Sequence, residues 1–202
     1  MRRIFVVAAA GLMLPGMAMA APGVAAPQAV TQLCATCHGP DGNGTSPPNP
    51  DFPKLAGEQP EYLGKQLRDF KSGKRKNEIM NAMVASLTPE DIQAIANYYS
   101  AQKPTMGTVK APDLLPAGKK MHLDGNVESG VPACAGCHEA NASGYKQFPR
   151  LAGQHSAYLY QQLKRFQTGE RDNDKGLAMQ SVAAKMSEAE MLAVAEYLTS
   201  LK

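Results

Sequence analysis

The sequence predicts an all-α chain built from two tandem domains related by internal duplication. Three observations carry that prediction. Motifs of the first half recur in order in the second. The recurring segments space their apolar residues three and four apart, as one face of a helix does. No stretch sustains the period-two alternation of a half-buried strand.

The first twenty residues stand apart from the repeat. Arg2 and Arg3 form a short basic start, Ile4 to Leu14 is apolar, and Ala18-Met19-Ala20 has the small-x-small pattern of a cleavage site. Residues 1–20 therefore read as a cleaved signal peptide that exports the chain to the periplasm. The apolar run falls short of the about 20 residues that a permanent membrane helix needs.

Each half then offers the same helices. Leu63, Leu67 and Phe70 follow an i, i+4, i+7 spacing, and Leu159, Leu163 and Phe166 repeat it. The final helices open on capping signals, Thr88-Pro89-Glu90-Asp91 as a hydroxyl cap with proline in the first turn and Ser187-Glu188-Ala189-Glu190 as a capping box. Between the halves, Lys103 to Pro116 carries Pro104, Gly107, Pro112 and Pro116 and reads as an extended connector with 103–112 as linker. The domains are placed at 22–102 and 113–202.

Composition poses a question about the core. The 202 residues contain no Trp, 6% aromatic residues, 18 Gly and 15 Pro. Halves of about 80–90 residues have thin interiors and often need a staple; a large apolar cofactor would supply one. Removing Arg2 and Arg3 with the leader lowers Lys+Arg from 21 to 19, against 18 Asp+Glu. With no polybasic run, nothing points to nucleic acid, whose binding needs clustered Lys and Arg.

The cysteines answer the question of the core. Cys34-Ala35-Thr36-Cys37-His38 recurs as Cys134-Ala135-Gly136-Cys137-His138. Cys-x-x-Cys-His reads as covalent haem attachment. Two residues between thiols put both sulfurs on one side of a helical turn, in reach of the two haem vinyl groups, and the next imidazole projects under the iron. Two such motifs at equivalent places in an exported chain imply two covalently bound haem c groups, held by Cys34, Cys37, Cys134 and Cys137, with His38 and His138 on the irons. A shared zinc site would leave the adjacent histidines unexplained, and a thioredoxin-like pair expects a βαβ setting. Structural disulfides stay open in an oxidising compartment.

An electron carrier needs the sixth iron position filled, and methionine sulfur is a soft donor that raises the reduction potential. Most methionines should be core fillers. Aligning the capped final helices pairs Leu87 with Met186 and Thr88 with Ser187, which sets Met80 opposite Met179 and Met83 opposite Val182. Only Met80 and Met179 are methionine in both halves, so the expected pairs are His38/Met80 and His138/Met179. His155 aligns with Gln59, and His122 precedes the second attachment motif; surface or outer-shell roles are expected for both. The carbonyls around Pro53 and Pro149 are candidates to receive the outer N–H of each haem histidine. Lys54/Arg150, Arg68/Lys164 and Arg75/Arg171 keep positive charge at paired positions, either to neutralise haem propionates or as solvated helix faces.

At this point the chain resembles the di-haem cytochrome c4 family, tandem class I cytochrome c domains. The likeness covers nearly the whole mature chain and includes both attachment motifs, Phe52-Pro53-Lys54-Leu55, Phe148-Pro149-Arg150-Leu151, the Gly153-Gln154-His155-Ser156-Ala157-Tyr158 stretch and both methionine loops. It implies two cytochrome c folds about a pseudo-twofold axis, haem propionate edges facing across the interface, and single-electron relay by a monomer. The partners it implies are redox proteins, membrane-bound respiratory complexes: a quinol-oxidising cytochrome bc complex as donor and a terminal oxidase as acceptor. It leaves open a peripheral membrane association. The rival readings are a di-haem enzyme of peroxidase or thiosulfate dehydrogenase type, and a dedicated electron-accepting subunit of a periplasmic dehydrogenase. The first half is short before Cys34, so its opening helix is expected to be truncated, which puts its packing against Ile92 to Tyr99 in question.

Overall fold

The computed structural model describes residues 26–45, 49 and 51–202. The expected signal peptide lies outside the described residues. In the first half a π-helical turn, Val30–Cys34, runs into α1 (Ala35–His38), followed by α2 (Pro60–Lys71), α3 (Glu78–Val84) and α4 (Pro89–Ser100). In the second half a 3-10 turn, Pro112–Leu114, leads into α5 (Leu115–Asp124). Then come α6 (Ala135–His138), α7 (Ser156–Gln167), a 3-10 turn at Lys175–Leu177, α8 (Ala178–Ala183) and α9 (Glu188–Ser200). Among the described residues there is no strand, and only the isolated bridges Asn126–Val131 and Tyr145–Phe148 pair extended backbone.

The apolar stripes do what their spacing predicts. Leu63 and Phe70 of α2 bury against Ile92, Ile95, Ala96 and Tyr99 of α4, and Leu159 and Phe166 of α7 bury against Met191, Val194, Ala195 and Leu198 of α9. Each fully buried Leu, Ile or Phe contributes about 1.5–3 kcal/mol. Both final helices open on complete capping boxes. Ser187 pairs with Glu190 as expected, and Asp91 completes the box on Thr88 as well. An acidic residue three places after the cap returns a bond to the cap amide, which stabilises the first turn by about 1 kcal/mol.

Two expectations need correction. Pro112 and Pro116 do not extend the connector; they sit in the first turns of the 3-10 segment and of α5. Proline lacks only an amide that the first helical turn leaves unpaired anyway, so there it starts a helix rather than breaking one. The short opening of the first half does pack: Val30 is wholly buried in the cluster of Ile92, Ile95, Ala96 and Tyr99. The second half fills this position with the full helix α5, which crosses α9 so closely that a Cβ on Gly118 would meet the Ala193 carbonyl oxygen at 2.0 Å.

Candidate functional site

The attachment motifs form single helical turns, and the first carries its cysteines and histidine on one wall of a cavity. His38 lies in a short helix behind Cys34 and is buried, as is His138 behind Cys134. His38 Nδ1 donates to the Pro53 carbonyl at 2.8 Å, and His138 Nδ1 to the Pro149 carbonyl at 3.1 Å. Phe52 and Phe148 stand edge-on to these rings, each with centroids 6.3 Å apart. The two contacts fix ring orientation and tautomer in both halves: Nδ1 carries the hydrogen and Nε2 presents a lone pair. Burial lowers the pKa of both imidazoles and keeps that lone pair available.

A cavity of about 420 Å³ is walled on one side by Cys34, Cys37 and His38, lined from another element by Met80, and bordered from the second half by Tyr158, Gln162 and Arg165. Met80 and Met179 both stand half-buried at a helix start, held by the same device. The Met80 amide donates to Asn77 Oδ1 at 2.9 Å, and the Met179 amide to Asp174 Oδ2 at 2.7 Å. The second half has three more residues between the paired Asn173 and Met179. It takes up that length in the turn at Lys175–Leu177, where Gly176 and Leu177 hold φ of 67° and 54°. Met83, opposite Val182, is exposed.

These residues fit a covalently attached haem. Two thiols one turn apart, an imidazole with its lone pair free, a soft sulfur and an apolar wall are the donor set such a group needs. They do not fit the rivals that rest on reactive or metal-binding thiols. Burial pushes the Cys34 and Cys134 thiols up to about 11, the reverse of a redox-active pair. Among the described residues no cluster of three or more His, Cys, Asp or Glu is placed to hold a metal ion.

The paired cations divide. Arg75 and Arg171 are buried, lie over Phe70 and Phe166 at 4.6 and 4.4 Å, and cross between the halves. Arg75 donates to Tyr158 Oη at 3.0 Å and to the side-chain oxygens of Gln66 and Gln162 at 2.9 Å each. Arg171 donates to Tyr62 Oη at 3.0 Å and Gln162 at 2.8 Å. Lys54 is tied to the connector through Thr105 Oγ1 at 2.9 Å and the Met106 carbonyl at 3.2 Å. Arg68 is exposed, and Lys164 donates to Gln167 of its own helix at 2.7 Å.

Of the two roles expected for His122, the structure gives the outer-shell one. It is wholly buried, with Nε2 facing the carbonyls of Glu139 and Ala140 at 3.1 and 3.2 Å. In the first half Tyr99 and Tyr98 donate their hydroxyls to the matching carbonyls of Gly39 and Pro40. One imidazole thus takes over the work of the Tyr99 hydroxyl in holding the turn behind the histidine. His155 is half-buried between the halves, its Nε2 near Gly44 and, among the described residues, without a hydrogen-bond partner.

Comparison with known proteins converges on one family. The family model described as cytochrome c matches residues 24–102 and 117–202. The chain is 39% identical over 200 residues to cytochrome c4 of Azotobacter vinelandii, covering 93% of each chain. It is 37% identical to the thiosulfate dehydrogenase electron acceptor of Thiomonas intermedia, covering 99% of this chain and 91% of that one. Among solved structures, reduced recombinant cytochrome c4 from Pseudomonas stutzeri superposes with a TM-score of 0.80 at 40% identity, covering 85% of this chain and 95% of that chain.

Proposed function

The chain belongs to the cytochrome c family as a di-haem c-type cytochrome and electron carrier, and on that premise we propose a specific assignment of its ligands and its route. Cys34 and Cys37 hold one haem through thioethers, and Cys134 and Cys137 hold the other. His38 and Met80 would ligate the first iron, and His138 and Met179 the second. The observation that carries this is the matched pair of Nδ1–H bonds to Pro53 and Pro149, which aim a bare Nε2 from each attachment helix.

When bound, each haem supplies a one-electron couple. The residues of this chain then keep that couple simple. The two histidines are locked by their carbonyl partners, and the two methionines by Asn77 and Asp174, so neither donor needs to move between oxidation states. With both donors bound, neither iron would offer an open position to substrate, which favours electron relay over catalysis. Ile79 and Met83, exposed at the rim of the first cavity, offer a small apolar patch for a partner. Redox encounters bury little area and are weak and fast.

The carrier works in the periplasm between membrane respiratory complexes, taking electrons from a quinol-oxidising cytochrome bc complex and passing them to a terminal oxidase. No helix of the described residues is long and apolar enough to cross a membrane. A second reading is supported by the relative named thiosulfate dehydrogenase electron acceptor: dedicated service to one periplasmic dehydrogenase. Mass spectrometry of the purified protein tests the cofactor assignment, with two haem masses added to the chain without residues 1–20 as the expected result. A bare polypeptide mass would refute it. Reduction rates measured with a cytochrome bc complex and with a thiosulfate dehydrogenase separate the two routes, and fast reduction by the dehydrogenase alone would overturn the respiratory one.

A further inference from the structure

Glu58 and Gln154 occupy equivalent places in the repeat, each just ahead of the helix that carries the interface. Each reaches across to the other half. Gln154 Oε1 accepts from the amides of Lys54 at 2.9 Å and His155 at 3.0 Å, while its Nε2 donates to the Lys54 carbonyl at 2.9 Å. Glu58 Oε1 mirrors the first part, accepting from the amides of Arg150 and Gln59, both at 2.7 Å. Lys54 and Arg150 are themselves a repeat pair. To complete the mirror, the second carboxyl oxygen of Glu58 would have to donate to the Arg150 carbonyl. A carboxylate has nothing to donate there; a carboxylic acid does.

The surroundings favour the acid. Glu58 is 7% exposed, as is Gln154. Burial lifts its carboxyl to about 8, against the weaker pull of the two amides and the Arg150 guanidinium. Among the described residues, Arg150, whose Nε has no hydrogen-bond partner there, and the Tyr158 hydroxyl face it, and the Lys54 ammonium, held by Thr105 and Met106, lines the same recess. Glu58 also lines the cavity that His38 and Met80 line. A change of charge in that cavity acts on the carboxyl that lines it.

We propose that Glu58 is a proton-binding site that couples proton uptake to reduction of the first half. One electron arrives from the redox partner and lowers the charge of the haem site by one. One proton arrives from solvent, forms an O–H bond on the second carboxyl oxygen of Glu58, and is donated to the Arg150 carbonyl. On reoxidation the electron leaves to the acceptor and the proton returns to solvent. Electron transfer through this carrier is then proton-coupled at the seam between its halves, on the Glu58 side and not at Gln154, whose amide cannot titrate. The inference rests on the axial ligation proposed for His38 and Met80.

The test is a redox titration of the holoprotein from acidic to alkaline pH, following both haems, in the parent and in Glu58→Gln. The variant installs the residue already accommodated at Gln154, so the clamp keeps its shape. The expected parent has one potential that falls as pH rises around 8, and the variant loses that fall while the other haem is unchanged. Reduced-minus-oxidised infrared spectra of the parent should gain a protonated-carboxyl C=O band that shifts in D₂O and is absent from Glu58→Gln. A parent whose potentials ignore pH in this region, or a slope and band that persist in the variant, would overturn the coupling while leaving the ligation intact. A parent spectrum without the Fe(III)–methionine band at the first haem would instead overturn the ligation, and the coupling with it.

Discussion

The protonated clamp has a consequence for stability that does not involve redox chemistry at all. The Glu58 carboxyl stands at about 8 in the folded chain against 4.5 for the free side chain. Its folded value lies above the unfolded one, so its contribution is fully present below about pH 4.5 and is lost as pH rises to about 8. At about 1.36 kcal/mol per unit, that interval sets a ceiling of about 5 kcal/mol. Relaxation of the ionised carboxylate toward the unpartnered Nε of Arg150 reduces this, and about 2–3 kcal/mol between pH 5 and pH 8 is the expected loss. Glu58→Gln removes the titration and keeps the clamp. Lys54, which burial lowers to about 8, runs the opposite way above that pH but is present in both proteins, so it cancels in their difference. With a urea slope of about 2 kcal/mol/M, the parent midpoint should fall about 1 M further than the variant midpoint from pH 5 to pH 8. Far-UV circular dichroism at each pH reads this directly. Midpoints that stay parallel across the range would show that Glu58 is ionised in the folded state and that the mirrored bond does not exist.

Three further outcomes follow from the geometry. Met80→Ala should open one iron to added imidazole and lower the potential of that haem, leaving the other nearly intact; unchanged spectra and potentials at both haems would reject Met80 as a ligand. Tyr62→Phe removes the 3.0 Å acceptor of Arg171 Nη2 and leaves that nitrogen only a 3.4 Å contact to Gln66, so a loss of about 1–2 kcal/mol is expected, seen as a melting temperature lower by about 2–8 °C. An unchanged melting temperature would mean that this bond does not hold the halves. Glu139→Gly should stabilise the protein, because Glu139 holds φ 69° and ψ 153°, a region that favours glycine, where the first half places Gly39 at φ 79° and ψ 152°. The expected gain is about 1–2 kcal/mol in urea unfolding, and a loss would show that the Glu139 side chain makes a contact worth more than the strain.

Much of this was legible in the chain before folding. The repeat, the helical stripes and the caps are local signals, and local signals survive into the structure when the core agrees with them. The pairing of Met80 with Met179 came from aligning capped helices, and each methionine amide meets a side-chain oxygen at its helix start. The prolines of the connector misled because their effect depends on position within a turn, which composition does not report. His122 was placed only as far as a surface or outer-shell role, for a different reason. Its role is that of Tyr99, a residue of another type on a helix at the opposite end of its half, so no alignment of like with like could find it. Glu58 against Gln154 was invisible in the same way: the two align in the repeat, but that they clasp each other's half appears only when the halves are docked.

The docked seam also explains why the two halves hold one arrangement. An apolar interface tolerates sliding, because any contact buries area. This seam is lined by buried groups that need particular partners: the guanidiniums of Arg75 and Arg171, the amide of Asn173, which donates to Gln66 at 2.9 Å and Asp69 at 2.6 Å, and the main-chain amides of Lys54 and Arg150. A shift of a few ångströms would strand several of these at about 1–3 kcal/mol each, more for the charged ones. The reciprocal tyrosines, Tyr158 for Arg75 and Tyr62 for Arg171, make the penalty act on both halves at once. Transfer of an electron between two haems depends on a fixed separation and orientation. Buried polar groups that can be satisfied in only one register impose that fixity, where apolar surface of the same extent would not.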